Sequence, residues 1–285
     1  MKLSILTMIT KPDERQDMWR EALENYKTIA DEVIVVSGSP LTNIPKGVKV
    51  YYLHWKEDWN YIELPKHLNF GLKKCTGDWV LKLDIDHLLD EDNIKRLKPA
   101  IDYNNITSKK ESLALEKLHF VADMRYRLKG KQIICFDRSK DIKFGKLLGQ
   151  LHIDLCHPVV VDHYEIIDGY KLPIGKAPTT LKSGVCYWNY NFTFKTKKVA
   201  KEHFWRWVRA WCRLYKEGGL SEYMQKGGIT KETSWEYFKK EVCIYNFGLT
   251  THKSKLKEHP IQIQKCLANL KPEQLGHSLW GLKKE

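Results

Sequence analysis

No stretch of this 285-residue sequence approaches the ~20 consecutive apolar residues that span a bilayer. The opening MKLSILTMITKPDE lacks the long apolar core and small-residue cleavage site of a signal peptide. A soluble, unexported protein with no transmembrane segment is expected. Cysteine is sparse and unpatterned: seven residues, an odd number, with no C-x-x-C pair and no His-rich metal spacing. That argues against a disulfide framework or a zinc site and makes the cytoplasm the default compartment. Low-complexity tracts and internal repeats are absent, so the chain reads as globular rather than disordered. Glycine is missing from TMITKPDER, where a nucleotidyltransferase would carry a Gly-rich, lysine-containing loop for a triphosphate.

Acidic charge is the minority sign. Lys and Arg number 48 against 35 Asp and Glu, a net charge of +13. Such an excess favours an anionic partner, whether nucleotide, nucleic acid or membrane surface, and is equally the mark of a basic solvated surface.

KLSILTMIT is a short apolar, β-branched run followed by Pro12, Asp13 and Glu14, which suit the first turn of a helix over Asp13 to Tyr26. Further strands are expected at Val33 to Val36, Val48 to Leu53 and WVLKLDI, with a helix over Pro65 to Lys74. Strands alternating with helices predict an α/β fold with a mostly parallel sheet flanked by helices. From residue 111 to about 195 strand-like pieces dominate. The remainder is helical: Val199 to Tyr215, Ser234 to Phe247 and Pro260 to Leu270. We divide the chain into residues 1–110, 111–198 and 199–285, the last a helical C-terminal extension, with no conspicuous linker between them.

The segment CTGDWVLKLDIDHLLDED carries the most informative carboxylates. In an extended chain Trp79, Leu81, Leu83 and Ile85 face one way, and Lys82, Asp84 and Asp86 the other. Two like charges at the carboxyl end of a strand in an open α/β sheet suit a hard divalent cation, Mn2+ or Mg2+, which would bind the diphosphate of a nucleotide. Asp90, Glu91 and Asp92 are explained by capping the next helix. Lys82 could add charge toward a diphosphate, or be a surface lysine.

TKPDE after the first strand, DEVIVVSGS in the second and LNFGLKKCTGDWVLKLDIDH together resemble the family-2 glycosyltransferases with the GT-A fold, in the branch with a TKNEE opening and a GDW-strand-DADE element. The resemblance covers residues 3 to 95 in order and spacing. It implies a nucleotide-sugar donor, a metal at Asp84 and Asp86, donor contacts near Thr10, Ser37 and Asn69, and transfer of a sugar to an acceptor hydroxyl. CYWNYNFTFKTKKVAK is similar to a HYGWVR...K segment of some of these enzymes, and EHPIQIQKCL to their late His-Pro helix. The chain departs from the pattern where Asn189 stands for a metal-completing histidine, where VVSGSP lacks an acidic residue, at Leu68 in place of an arginine, and at His87 in place of an acidic residue.

An inverting transfer needs a carboxylate to take the acceptor proton. We choose Asp154, between apolar residues and beside His152 and His157, with Asp162 and Glu165 behind it. The histidines 152, 157 and 163 are too irregularly spaced for a metal cluster. In KEHFWRWVRAWCRLYK, Phe204, Val208, Trp211 and Tyr215 form an apolar stripe, and Arg206, Arg209, Arg213 and Lys216 a basic side, with Lys195, Lys197, Lys198 and Lys201 upstream. That side suits an anionic acceptor, nucleic acid or a lipid-linked molecule at a membrane surface where the protein would be peripheral, or plain solvent. A rival to the enzyme is a nucleic-acid-binding protein that has kept a GT-A-like scaffold and lost catalysis.

Overall fold

The computed structural model describes residues 1–56, 62–149, 156–167, 169–214, 231–239 and 251–278. Its centre is a curled nine-stranded mixed sheet flanked by helices, an α/β architecture compatible with a GT-A-like fold. β1 (Leu3–Ile9) pairs in parallel with β2 (Glu32–Ser37) on one side and β4 (Trp79–Lys82) on the other, and β2 pairs in parallel with β3 (Val48–Tyr52). The chain therefore leaves β1 in one direction and returns to its other side at β4. Beyond β4 the sheet becomes mixed: β7 (Arg125–Asp137) is antiparallel to β4 and to β6 (Ser112–Ala122). β11 (Thr180–Asn189) runs parallel to β6 and antiparallel to the short β5 (His87–Leu88). Three more strands, β8 (Ile142–Leu147), β9 (His157–Ile167) and β10 (Tyr170–Lys176), close on one another beside the main sheet.

The first strands are apolar on both faces because both are covered. Leu3, Ile5, Val33, Val35, Trp79 and Leu81 pack on one side with α1 (Trp19–Ile29). Leu6, Ile34, Val36 and Val80 pack on the other with Leu68 of α2 (Glu63–Leu72). From α1 the buried Trp19, Ala22, Leu23, Tyr26 and Ile29 recur every three or four residues, and each large side chain contributes about 1.5–3 kcal/mol by leaving water. On α2 Gly71 is needed for close approach: a Cβ there would lie 2.4 Å from Leu6 Cδ1 and 2.6 Å from Val36 Cγ2.

The helix expected from Asp13 begins only at Trp19. Lys11 and Gln16 take positive φ values of 43° and 54°, which fold residues 11–17 into a turn instead. The Asp13 carboxylate still reaches the helix start, accepting from Trp19 Nε1 and from Arg20, each at 2.9 Å.

Glu32 ties the edges of this half together. Its buried carboxylate accepts from Ser4 Oγ at 2.6 Å, Thr76 N at 2.5 Å, Thr76 Oγ1 at 2.9 Å and Lys49 Nζ at 3.0 Å. Burial alone would raise its pKa, but these donors hold it down to about 2.

α3 (Glu91–Tyr103) starts as the sequence requires, with Asp90 accepting from Asn93 N at 2.9 Å. The C-terminal third contributes α4 (Lys197–Leu214), α5 (Lys231–Lys239), β12 (His252–Lys253), α6 (Ile261–Ala268) and α7 (Leu275–Ser278). α6 docks on the α1 side through Ile263 and Leu267. Just before it lies His259, fully buried between Tyr190 Oη and Ser254 Oγ, both at 2.9 Å, with its ring 4.2 Å from that of Trp188. Burial lowers its pKa to about 4. Among the described residues no helix is long and apolar enough to cross a membrane, and Cys75, Cys135, Cys156, Cys186 and Cys266 are free thiols.

Candidate functional site

β1 and β4 end side by side, at the point where strand order reverses, which in open α/β sheets opens a crevice beyond the strands' carboxyl ends. A cleft of about 1110 Å3 lies there. It is lined by Thr10 and Lys11 after β1, Gly38 after β2, Lys82 at the end of β4, Asp84 and Asp86 after it, Lys117 of β6 and Arg206 of α4. Nine Lys or Arg side chains border it against three Asp, so the cleft is built for anions.

The expected alternation holds for the apolar set: Trp79, Leu81, Leu83 and Ile85 are buried in the core. The strand itself stops at Lys82, however, and the chain turns, with His87 N donating to Asp84 O at 2.7 Å. This turn changes the ligand set. A strand continued through residue 87 would send the His87 ring away from the carboxylates. Instead its Nδ1 lies 3.8 Å from Asp84 Oδ2 and its Nε2 3.7 Å from Asp86 Oδ1. One ligand atom from each of Asp84, Asp86 and His87 falls within 4.8 Å of the others.

The turn is held from two sides. Tyr190 N donates to Asp86 O at 2.8 Å, and the buried Tyr26 hydroxyl donates to Asp84 O at 2.5 Å and lies 3.0 Å from His87 O. Asn189, at the place where the resemblance has a histidine, borders the cleft and meets His119 Nδ1 through its Oδ1 at 2.9 Å.

Charge in the turn is unbalanced. Burial would raise the Asp84 carboxyl, but Lys82 at 2.8 Å, His87 and Lys117 lower it. Asp86 is pushed up by burial and by the neighbouring charge of Asp84. Burial drives His87 well below its ordinary value, so the ring is neutral and has a lone pair to give. Two crowded carboxylates with a neutral imidazole form a donor set that fits a divalent cation such as Mn2+ or Mg2+.

Of the other residues singled out in the sequence, Thr10 borders the cleft with Lys82 and Asp84. Ser37 and Asn69 are not among the residues lining it. Ser37 is buried and its Oγ donates to Ser39 O at 2.5 Å, closing the turn after β2. Asn69 uses both ends of its amide on the Phe144 backbone, donating to its O at 2.8 Å and accepting from its N at 2.9 Å. Asp154 and His152 lie outside the described residues; Cys156 and His157, next along the chain, line the cleft. Asp162 is exposed beside His163, and Glu165 lies 3.7 Å from Lys146, both away from the cleft lining.

On α4 Val208 is buried, while Arg206, Trp207 and Arg209 line the cleft. Lys195 is not part of a solvated basic face: it is 4% exposed, pairs with Asp17 and donates to Arg15 O at 2.6 Å. Tyr215 and Lys216, with the side chains of Trp211 and Arg213, lie outside the described residues. Trp55 and Lys117, also on the cleft, were not singled out in the sequence, because no local pattern marks them.

No family model matches the chain, and no curated protein does. Among solved structures, it is similar to S. aureus TarS 1–349 in complex with UDP-GlcNAc, at 19% identity over 42% of this chain and 35% of that one, TM-score 0.32. TarS 1–349 in complex with UDP matches at 13% identity over 96% and 80% of the two chains, TM-score 0.40. The bifunctional IspDF from Campylobacter jejuni matches at 14% over 49% and 42%, TM-score 0.33. In the first of these the chain spans about a third of the other protein's length. Scores this low transfer no function.

Proposed function

We propose that the chain is a metal-dependent glycosyltransferase of the GT-A type that moves a sugar from a nucleotide-sugar donor to an acceptor hydroxyl. The observation that carries this reading is the Asp84, Asp86 and His87 set, at the strand-order reversal, on the wall of a cation-rich cleft. Asp84, Asp86 and His87 would hold Mn2+ or Mg2+, which when bound supplies positive charge to the leaving nucleoside diphosphate. Lys82 and Lys117 flank the same turn and complement the diphosphate oxygens. Thr10, Lys11, Gly38 and Trp55 border the cleft near the β1 and β2 ends, and we assign the nucleoside to that end. The family-2 resemblance over residues 3–95 supports the same assignment. Asp154, between apolar residues in the sequence and beside His152 and His157, is our choice for the group that takes the acceptor proton.

The test is donor hydrolysis and transfer with a panel of nucleotide sugars, UDP-GlcNAc included, with Mn2+ or Mg2+. Asp84→Asn and Asp86→Asn should each lower turnover by roughly two orders of magnitude. If no donor is bound or turned over and both variants behave as wild type, the assignment is lost. Pyrophosphate release from a nucleoside triphosphate would make the protein a nucleotidyltransferase instead. A second reading, a nucleic-acid-binding protein on this scaffold, draws on the nine cations of the cleft. RNA or DNA binding that weakens steeply with salt, without affinity for any nucleotide sugar, would establish it.

A further inference from the structure

Lys82, paired with Asp84 at 2.8 Å, and Lys117 of β6 stand at the metal-ligand end of the cleft. Arg206 comes from a different element, α4. Arg206 and Arg209 stand one turn apart on α4 and both line the cleft, with Arg15 of the β1–α1 turn lining it too. Among the described residues no carboxylate forms an ion pair with Arg206 or Arg209, whereas Arg15 already leans on Asp17 at 3.1 Å. The Arg209 Nε is shielded from solvent without a hydrogen-bond acceptor. Trp207, between the two arginines, is 43% exposed and lines the cleft.

Two half-buried guanidiniums one turn apart on a helix, facing the same cleft as Arg15 and with a shielded donor left without an acceptor, are an incomplete anion site. A solvated basic face would not be recessed in a cleft, nor leave a donor dry. The opposing charge at the diphosphate end is already supplied by Lys82, Lys117 and the metal set. We propose that Arg206, Arg209 and Arg15 form a second anion subsite that holds a phosphate group carried by the acceptor, with Trp207 against the acceptor's ring or carbon chain. This rests on the glycosyltransferase reading for the word acceptor, though not for the anion. Because the pair is recessed, the ligand is a phosphorylated hydroxyl compound that enters the cleft, not a flat bilayer or a duplex.

The experiment titrates the full chain with inorganic phosphate and with glycerol 3-phosphate, by calorimetry and 31P NMR, with and without saturating UDP or GDP plus Mn2+. Both phosphate probes should bind whether or not the nucleotide is present. R206Q/R209Q should weaken them at least tenfold while leaving nucleoside diphosphate affinity within twofold. R206K/R209K, which keeps the charge and loses the fork, should fall between, with a melting temperature like wild type. Phosphate that is displaced by the nucleoside diphosphate, or a double variant that loses the nucleotide and keeps phosphate, would assign the pair to the donor and overturn the subsite. So would binding of phosphatidylglycerol vesicles or oligonucleotides through the same pair with no affinity for either small probe. If no nucleoside diphosphate binds but phosphate still depends on the pair, the donor reading fails and the anion site stands.

Discussion

The Tyr26 hydroxyl, at the core of α1, donates to the backbone carbonyl of Asp84 at 2.5 Å and lies 3.0 Å from that of His87. A helix residue directly beneath the cleft thereby fixes both ends of the turn that carries the carboxylates and the imidazole. Tyr26→Phe removes the donor and keeps the packing. It should cost about 1–2 kcal/mol of stability through the buried carbonyls and weaken Mn2+ binding roughly tenfold through the loosened turn. Urea denaturation and a metal titration, both without donor, check the two effects. Unchanged metal affinity would mean that the turn is held by Tyr190 N and its own hydrogen bond alone.

Asp86→Asn should move stability and function in opposite directions. It relieves the repulsion between two neighbouring carboxylates, so the melting temperature rises. It also removes a ligand, so divalent-ion affinity and turnover fall by roughly two orders of magnitude. Asp84→Asn lacks the stabilising half of this pattern, because it leaves Lys82 without its partner at 2.8 Å.

The buried His259 contributes to a window of acid sensitivity that His87, His119 and His203, depressed by burial in the same direction, share. Unfolded, the His259 imidazole takes up a proton near its ordinary value of about 6.5; folded, only near 4. Between these values the unfolded chain binds more protons, so stability falls as pH drops through the window. The loss approaches about 3 kcal/mol at its lower edge. Glu32 acts lower, losing its contribution as pH falls from the ordinary glutamate range toward 2. Urea unfolding at successive pH values should show a decline between pH 6.5 and 4 that is markedly flatter in His259→Gln.

Glu32→Gln tests the clasp between the first strands. The amide keeps one acceptor oxygen but presents an NH2 group to donors from Ser4, Thr76 and Lys49. A loss of about 2–3 kcal/mol at neutral pH is expected, on the scale of a broken buried network. A change below half of that would mean that the donors find other acceptors.

Much of the first third was legible because its signals are local. The continuous apolar runs of β1 and β2, the Asp90 cap and the apolar face of WVLKLDI are all consequences of adjacent residues, and the structure reproduces them. The turn at Ile85 and Asp86 was not legible: β4 leaves β1 and β7 after Lys82 although both neighbours run on, so nothing in its own apolar pattern marks the end. His87 was visible as a departure from the resemblance, yet its meaning depends on that turn. The late start of α1 likewise follows from the left-handed Lys11 and Gln16, neither of which has a composition cue. Lys195 read as surface charge because its partner Asp17 is 178 residues away.

That pairing is itself testable. Lys195→Met should destabilise by roughly 3 kcal/mol by leaving Asp17 buried with less compensation, and a second change, Asp17→Asn, should restore more than half of it. Chemical denaturation of the two single variants and the double gives the cycle.

The clasp has a mechanical meaning. Lys195 and Thr196 grip the β1–α1 turn through Asp17, Arg15 O and Gln16, with Thr196 N donating to Gln16 Oε1 at 2.7 Å, just before the helix that carries Arg206 begins. The helix and the turn are thus latched by charge, and the wall they form moves as one leaf or not at all. Prising it open would strand a buried ammonium and a buried carboxylate together. The latch therefore makes residues almost two hundred positions apart a single mechanical part, and cutting the chain before Lys195 would remove one wall of the cleft along with the pin that holds the other.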